Sequence, residues 1–238
     1  MCPDAWHPTF LLLTCEHGGN EVPEVYARLF RGAGETLATH RGYDIGALGV
    51  AHRMAALLAA PIVFSTVTRL LIDLNRSIDH PGAYSEFTRG LDAEERASIA
   101  EKYYTPHRSS VTNVLRAAVG DGHRVLHVGI HSCTDILECE ERELDVSLLF
   151  DPDRASELSV CTRWRAALMD IDGSNRYPFN KPYLGTDDGL VTTLRAEFSS
   201  DVYAGVEVEV RQGMIQRASE QATIGDLLAA SMRAAGLV

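Results

Sequence analysis

The chain has 238 residues, of which 45% are hydrophobic and 23% charged, an ordinary balance for a globular protein in water. Its net charge of -11 argues against a general nucleic-acid or anionic-membrane surface, because both partners attract basic patches. No apolar run approaches the ~20 residues of a membrane helix, and the first residues lack the plan of a signal peptide. Five cysteines without a paired spacing predict reduced thiols and a cytoplasmic location. A small anionic substrate stays possible, and no feature is specific to an oligomeric state.

The first half of the chain is predicted to alternate strands and helices. A short apolar run at 10–13 predicts a buried strand. The Ala- and Leu-rich segment at 45–60 has apolar residues at helical spacing until Pro61 ends it. Apolar and β-branched residues predict strands at 62–65 and 70–74. Further helices are expected at 23–31 and from 91 to about 119.

The second half continues the alternation. Strands are expected at 124–130, 146–150 and 206–210, helices at 155–169, 190–198 and 219–236, and a loop at 171–189. This order predicts an α/β fold with helices on both faces of a sheet, a three-layer αβα arrangement. No internal repeat or linker is visible, so residues 1–238 are expected to form a single domain.

A polar turn follows the first predicted strand, in the segment Thr-Cys-Glu-His-Gly-Gly-Asn-Glu at 14–21. Its two glycines let the backbone turn sharply and crowd Glu16, His17, Asn20 and Glu21 around one turn. In open α/β sheets, ligands bind at this carboxyl edge of the strands. The turn is therefore interpreted as half of a metal site.

A second histidine, His131, comes directly after the strand predicted at 124–130. Neutral imidazole is a common zinc ligand, and catalytic zinc usually takes three protein ligands and leaves one position for water. A lone histidine at a strand end is more often structural. His127 lies on the same side of the strand but ~13 Å away at ~3.3 Å per residue, too far to share a metal with His131.

Asn75 and Arg76 follow the strand predicted at 70–74. A guanidinium fork with a neutral amide beside it suits recognition of a carboxylate. A surface salt bridge for Arg76 and a turn role for Asn75 would account for the pair equally well.

The segment Val-Glu-Val-Glu-Val-Arg at 206–211 alternates strictly, which places Glu207, Glu209 and Arg211 on one face of a strand. This pattern is typical of an amphipathic edge strand that faces water. It also suits a general base beside a metal, with an arginine near the substrate. Asp44 is a weaker candidate, because a helix N-cap role accounts for it.

Six segments in this order resemble the N-formylglutamate amidohydrolase family. They are Cys-Glu-His-Gly-Gly-Asn at 15–20, His-Arg-Gly-Tyr-Asp-Ile-Gly-Ala at 40–47, Arg-Leu-Leu-Ile-Asp-Leu-Asn-Arg at 69–76, His-Ser at 131–132, Asn-Lys-Pro-Tyr at 180–183 and Glu-Val-Glu-Val-Arg at 207–211. The resemblance implies a fold similar to the zinc carboxypeptidases and acyl-amino-acid deacylases, with a mixed, mostly parallel sheet. It also implies one zinc ion.

By this resemblance, His17 and His131 match the zinc histidines, and Glu209 matches the catalytic glutamate of a Glu-x-Arg strand. The Asn75 and Arg76 pair matches the residues that grip the α-carboxylate of the substrate.

The chain departs from the related patterns at three positions. Carboxypeptidases have a ligand glutamate where this chain has Asn20, so Glu16 is favoured as third ligand, and Glu21 or Asp44 could take its place. Gly129 stands where the family often has an acidic residue, which is expected to loosen the support of His131. Cys133 stands where the family often has an aromatic residue.

These matches predict a zinc-dependent hydrolase that removes a formyl or other short acyl group from an acidic amino acid such as glutamate. Arg69 or Arg211 would meet the side-chain carboxylate or the oxyanion. The loop at 174–188, with Arg176, Asn180 and Tyr183, is expected to determine which acyl group and which amino acid fit.

Two other functions stay open from the sequence. A cysteine amidase could be built on Cys133 or Cys15, although neither thiol has an evident base and orienting group. A non-catalytic binding protein could keep the fold without the metal, and Asn20 and Gly129 are the main indications of it.

Overall fold

A five-stranded sheet forms the centre of the protein, described from a computed structural model that covers residues 6–137 and 140–238. Its strands are β1 (Phe10–Cys15), β2 (Ile62–Phe64), β3 (Val125–Cys133), β6 (Val146–Leu149) and β7 (Tyr203–Arg211), and β4 (Ile136–Leu137) and β5 (Glu140–Glu141) form a separate hairpin. The order across the sheet is β2-β1-β3-β7-β6, with only β6 antiparallel to its neighbour. Residues 1–5, which include Cys2 and were used in the signal-peptide prediction, lie outside the described residues. So does Cys139.

Helices cover both faces of this sheet. They are α1 (Gly34–Leu37), α2 (Ala47–Leu58), α3 (Ala93–Ile99), α4 (Thr105–Gly120), α5 (Ala155–Ile171), α6 (Leu190–Glu197) and α7 (Ala218–Ala234), with 3₁₀ helices at Glu24–Phe30 and Gln212–Met214 and a π turn at Ala100–Tyr104. Helices α2, α5 and α7 pack with the sheet in one apolar cluster, and α4 and α6 in another. The expected α/β fold with a mixed, mostly parallel sheet is confirmed. Within the described part, no helix is long and apolar enough to cross a membrane.

The alternation of side chains along the strands divides the core into these two clusters. In β1, Leu11 and Leu13 pack with α2 and α7, while Leu12 packs with α4 and α6. Near the carboxyl ends of β3 and β7 the second face becomes polar, and His131 of β3 lies directly opposite Glu209 of β7 in the parallel register. The sheet therefore brings these polar side chains to one edge.

The prediction of a strand at 70–74 is wrong. Leu71, Ile72 and Leu74 are buried, but they form turns that pack against the 3₁₀ helix at Glu24–Phe30 and against α3. The Asp73 carboxylate accepts hydrogen bonds from the backbone N–H groups of Asn75 and Arg76, a local arrangement that competes with strand formation.

Two further expectations need correction. Strand β7 lies between β3 and β6, so the interpretation of its alternation as a water-facing edge strand is wrong. Strand β3 extends to Cys133, so His131 lies within the strand rather than after it.

The buried imidazole of His127 predicts a specific acid sensitivity. Its ring contacts the Thr14 hydroxyl at 3.0 Å and the Tyr203 hydroxyl at 2.8 Å, and burial lowers its pKa to about 4. The unfolded chain protonates this ring near its ordinary pKa and the folded chain resists protonation. Stability is therefore complete above the unfolded pKa and falls as the pH drops towards the folded pKa, by about 3 kcal/mol in all.

We expect His127→Gln to remove this part of the pH dependence. The measurement is the free energy of unfolding in urea between pH 7 and pH 4 for the wild type and the variant. His52→Gln, at an exposed position, controls for the substitution itself. A wild-type curve that runs parallel to that of His127→Gln over this range would contradict the assignment.

Candidate metal centre

The turn after β1 is held close to the segment that follows β2. The Gly18 N–H donates to the Ser65 carbonyl at 2.9 Å, and a Cβ at Gly19 would lie 2.6 Å from the Thr66 carbonyl oxygen. These glycines are needed because the two backbones approach so closely. The turn places His17 beside the end of β3.

His17, Asp44 and His131 form a group that can hold a metal ion. Each offers one ligand atom, and these atoms all lie within 4.8 Å of one another. The Nδ1 atoms of His17 and His131 lie 3.4 and 2.9 Å from the same Asp44 oxygen, Oδ2. The three residues are 1%, 2% and 4% exposed for His17, Asp44 and His131 respectively. Two imidazoles and one carboxylate form a donor set typical of catalytic zinc.

The carboxylate in this group belongs to Asp44, whereas the sequence favours Glu16. Glu16 approaches His131 from the opposite side, with Oε2 3.1 Å from Nε2. The group that could hold a metal thus contains Asp44, for which the sequence indicates mainly an N-cap role, and Glu16 as third ligand stays a prediction.

Asn20 and Glu21, the remaining polar residues of the turn, also have partners away from this group. The Asn20 amide donates to the Leu37 carbonyl at 2.9 Å. The Glu21 carboxylate accepts from the Thr66 hydroxyl at 2.7 Å. Both side chains therefore hold the turn in place rather than complete the metal group.

Each histidine of the group has a second carboxylate at its far nitrogen. Nε2 of His17 lies 2.8 Å from Asp73, and Nε2 of His131 lies 3.1 Å from Glu16. Such partners fix ring orientation and raise the basicity of metal-binding histidines. The remaining Asp44 oxygen accepts from Arg69 at 3.0 Å. The donors and their surroundings thus fit a bound metal ion.

The electrostatics of the group also favour a cation. Burial lowers the pKa of His131, but hydrogen bonds and charge from Asp44 and Glu16 outweigh it and hold that pKa well above its usual value. Burial likewise raises the pKa of Asp44, while His17, His131 and Arg69 hold it well below its usual value. The carboxylates therefore stay ionised, and positive charge between them is stabilised.

Glu209 lies next to this group and has the properties of a general base. It is 7% exposed, and its Oε2 has no hydrogen-bond partner among the described residues. Burial raises the pKa of Glu209 to about 7. A carboxylate with a pKa near the working pH is well suited to take up and return a proton.

These side chains line one cavity of about 170 Å³. The residues from the sequence analysis that line it are His17, Asp44, Arg69, Asn75, Arg76, His131, Tyr183, Glu207 and Glu209. Glu16, Asn180 and Arg211 are not part of this lining. Arg211 binds Asp135 and Asp145, and the Asn180 side chain accepts from the backbone N–H groups of Phe150 and Gly185.

Two of the lining residues already have partners for many of their polar atoms. The Asn75 amide donates to Glu207 at 3.0 Å and accepts from the Leu190 N–H at 2.7 Å. Arg69 directs Nη1 to Asp44, and Nε and Nη2 to Asp73. The sequence analysis did not propose Asp73 as a site residue. A charged residue within the apolar run at 70–74 could have indicated a buried polar contact.

The cysteines argue against a cysteine amidase. Cys15 and Cys133 are fully buried, and neither lines the cavity. Burial raises the pKa of Cys15 well above its usual value and that of Cys133 to about 12. A neutral, buried thiol is a poor nucleophile.

A His and Asp cluster with a buried glutamate beside it, at the carboxyl edge of an α/β sheet, is an arrangement of the kind that metal-dependent hydrolases use. The family model for N-formylglutamate amidohydrolase matches residues 9–216. The chain belongs to the N-formylglutamate amidohydrolase family, which confirms the resemblance found in its sequence.

Two solved structures share the fold of this chain. A gene product from Agrobacterium tumefaciens is 29% identical, with a TM-score of 0.80 over 96% of this chain and 91% of that one. An N-formylglutamate amidohydrolase from Ralstonia eutropha shares the fold at 18% identity, with a TM-score of 0.69 over 98% of this chain and 94% of that one. A search of curated protein sequences returned no match.

The choice between Asp44 and Glu16 as ligand leads to a metal-content prediction. We expect Asp44→Asn to lose its metal on dialysis, because one of three ligands becomes a weak donor. Glu16→Gln should bind metal about 10- to 100-fold more weakly, the usual effect of a partner behind a ligand, and still fill at excess zinc. Elemental analysis and zinc titration measure both. Full occupancy in Asp44→Asn with none in Glu16→Gln would make Glu16 the ligand.

Proposed function

We propose that this protein is a metal-dependent amidohydrolase that removes a formyl or other short acyl group from the nitrogen of an amino acid, with an acidic amino acid such as glutamate as the substrate. The observation that supports it most directly is the single small cavity shared by the His17, Asp44 and His131 group, the Glu209 carboxylate and Arg76. Family membership supports the same reaction. Zinc as the metal and a cytoplasmic location stay predictions from the sequence.

The metal group and Glu209 would divide the work of the reaction. A zinc ion held by His17, Asp44 and His131 would supply Lewis-acid chemistry, which polarises the amide carbonyl and acidifies water. Glu209 takes a proton from the attacking water as its oxygen bonds to the acyl carbon. The same proton then passes to the amide nitrogen as the C–N bond breaks, which releases a carboxylic acid and a free amine.

Arg76 is the best candidate for binding the α-carboxylate. It lines the cavity and uses Nη1 for the Asp188 carbonyl at 2.8 Å, which leaves other donors of its fork for a ligand. The Asn75 amide is hydrogen-bonded to Glu207 and to the backbone N–H of Leu190, so it stabilises the part of the cavity wall next to Arg76. Arg69 is a candidate for the oxyanion, although its donors already serve Asp44 and Asp73.

Removing the proposed base should separate chemistry from metal binding. We expect Glu209→Gln to keep its metal and to lose turnover of N-formylglutamate by about 100-fold or more, the scale of general-base catalysis. The measurements are kcat by release of free amine and metal content by elemental analysis. Glu207→Gln is the matched control on the same strand face. If it loses turnover while Glu209→Gln does not, the base is Glu207.

The role of Arg76 predicts an effect on substrate binding. We expect Arg76→Gln to raise KM for N-formylglutamate about 10- to 100-fold, the loss of one or two charge-assisted hydrogen bonds, with a smaller change in kcat. Arg41→Gln, which removes an exposed arginine paired with Glu86, is the matched control. An unchanged KM in Arg76→Gln would remove this residue from the site.

A further inference from the structure

Arg142 is a buried arginine with unused donors. It is 7% exposed, and its Nε and Nη1 atoms have no hydrogen-bond partner among the described residues. These two atoms carry three of the five guanidinium N–H groups. Burying a charge without full pairing is costly, so a site of this kind favours the arrival of an anion.

Tyr183 connects Arg142 with the catalytic cavity, whose lining includes Tyr183 but not Arg142. The Arg142 Nη2 donates to the Tyr183 hydroxyl at 3.2 Å, and its guanidinium carbon lies 5.3 Å from the centre of the ring. Tyr183 itself lines the cavity and is 40% exposed. Tyr183 thus contacts Arg142 and also contributes to the wall of the catalytic cavity.

The other arginines cannot readily bind a second substrate carboxylate. Arg69 is committed to Asp44 and Asp73, and Arg211 is bonded to Asp135 and Asp145 outside the cavity lining. Arg76 is assigned to the α-carboxylate. The cavity wall also contains Asp187 and Asp188, which repel an anionic side chain unless a cation lies beside it.

We propose that Arg142, with the Tyr183 hydroxyl, binds the distal carboxylate of an N-acyl dicarboxylic amino acid, and so determines the preference for an acidic side chain. The carboxylate would replace the phenol oxygen as acceptor for Nη2 and would engage donors that have no partner now. The Tyr183 hydroxyl would then donate to the same carboxylate. This inference rests on the proposed function, because it assigns the side-chain subsite of that reaction.

The test compares two substrates that differ only in charge, N-formylglutamate and N-formylglutamine. The wild type should prefer the glutamate compound in kcat/KM by about 30-fold or more, the scale of a buried charged hydrogen-bond pair. Arg142→Met should lower kcat/KM for the glutamate compound alone, so that the two substrates come within about threefold. Arg142→Lys should retain part of the preference, and Tyr183→Phe should weaken it.

Lys181→Gln is the matched control, because Lys181 is an exposed positive charge. Lys181 and Arg142 both line a surface groove that is separate from the catalytic cavity. It should leave the preference unchanged. An equal loss for both substrates in Arg142→Met and Arg142→Lys would show a structural role and overturn the proposal. So would a wild type that turns over both compounds equally well.

Failure of the proposed function would look different. In that case the metal-loaded wild type would cleave neither compound. Calorimetric titration of both compounds into the wild type and Arg142→Met would then decide the subsite by binding alone, with selective loss of the glutamate compound as the supporting result and no selective loss as the overturning one. Thermal melting of each variant reports its folding.

Discussion

The Asp44 carboxylate is the interaction on which the rest of the site depends. One of its oxygens faces the Nδ1 atoms of His17 and His131, and the other accepts from Arg69. It reaches this position because its backbone N–H donates to the His17 carbonyl at 2.9 Å, which ties the loop before α2 to the turn after β1. Gly46, at φ +82°, sits so close to the Ile215 carbonyl that a Cβ there would lie 2.3 Å away. These close backbone contacts fix the conformation of the loop and place the Asp44 carboxylate between the two histidines.

A buried cluster of this kind is a poor way to stabilise a fold. Asp44, Asp73 and Glu16 lose hydration, and ion pairs in the interior seldom gain more than apolar residues of the same volume would. The opposite face of the same strands is filled with leucine and valine, so the chain can build an apolar core where chemistry does not intervene. The polar face is explained by the proposed reaction, since the excess of carboxylates would stabilise a cation.

The sequence was sufficient for the layers of the fold, because strands and helices follow from apolar periodicity. The roles predicted for His17, His131 and Glu209 came from the family resemblance, and the structure brings these three side chains to one cavity. The strand expected at 70–74 failed because burial alone does not define a strand. Leu71 and Ile72 are buried from turns, and the Asp73 side chain satisfies backbone donors that a neighbouring strand would otherwise take. The sequence analysis gave no signal for Arg142, because this residue belongs to none of the six family segments.

Glu16 illustrates why adjacency along the chain misleads. The residue stands beside His17, but its carboxylate lies against the far nitrogen of His131. A Cβ at Gly129 would lie 3.5 Å from that same nitrogen, so an acidic side chain at position 129 would compete for this place. The sequence suggests that Gly129 leaves His131 without a carboxylate beside it. In the structure Glu16, which follows β1, places its carboxylate beside that ring. Glu207, 3.7 Å from the same nitrogen, already adds negative charge, and a further carboxylate at 129 would crowd like charges in a buried space. Gly129 therefore leaves the space that the Glu16 carboxylate needs next to Nε2 of His131.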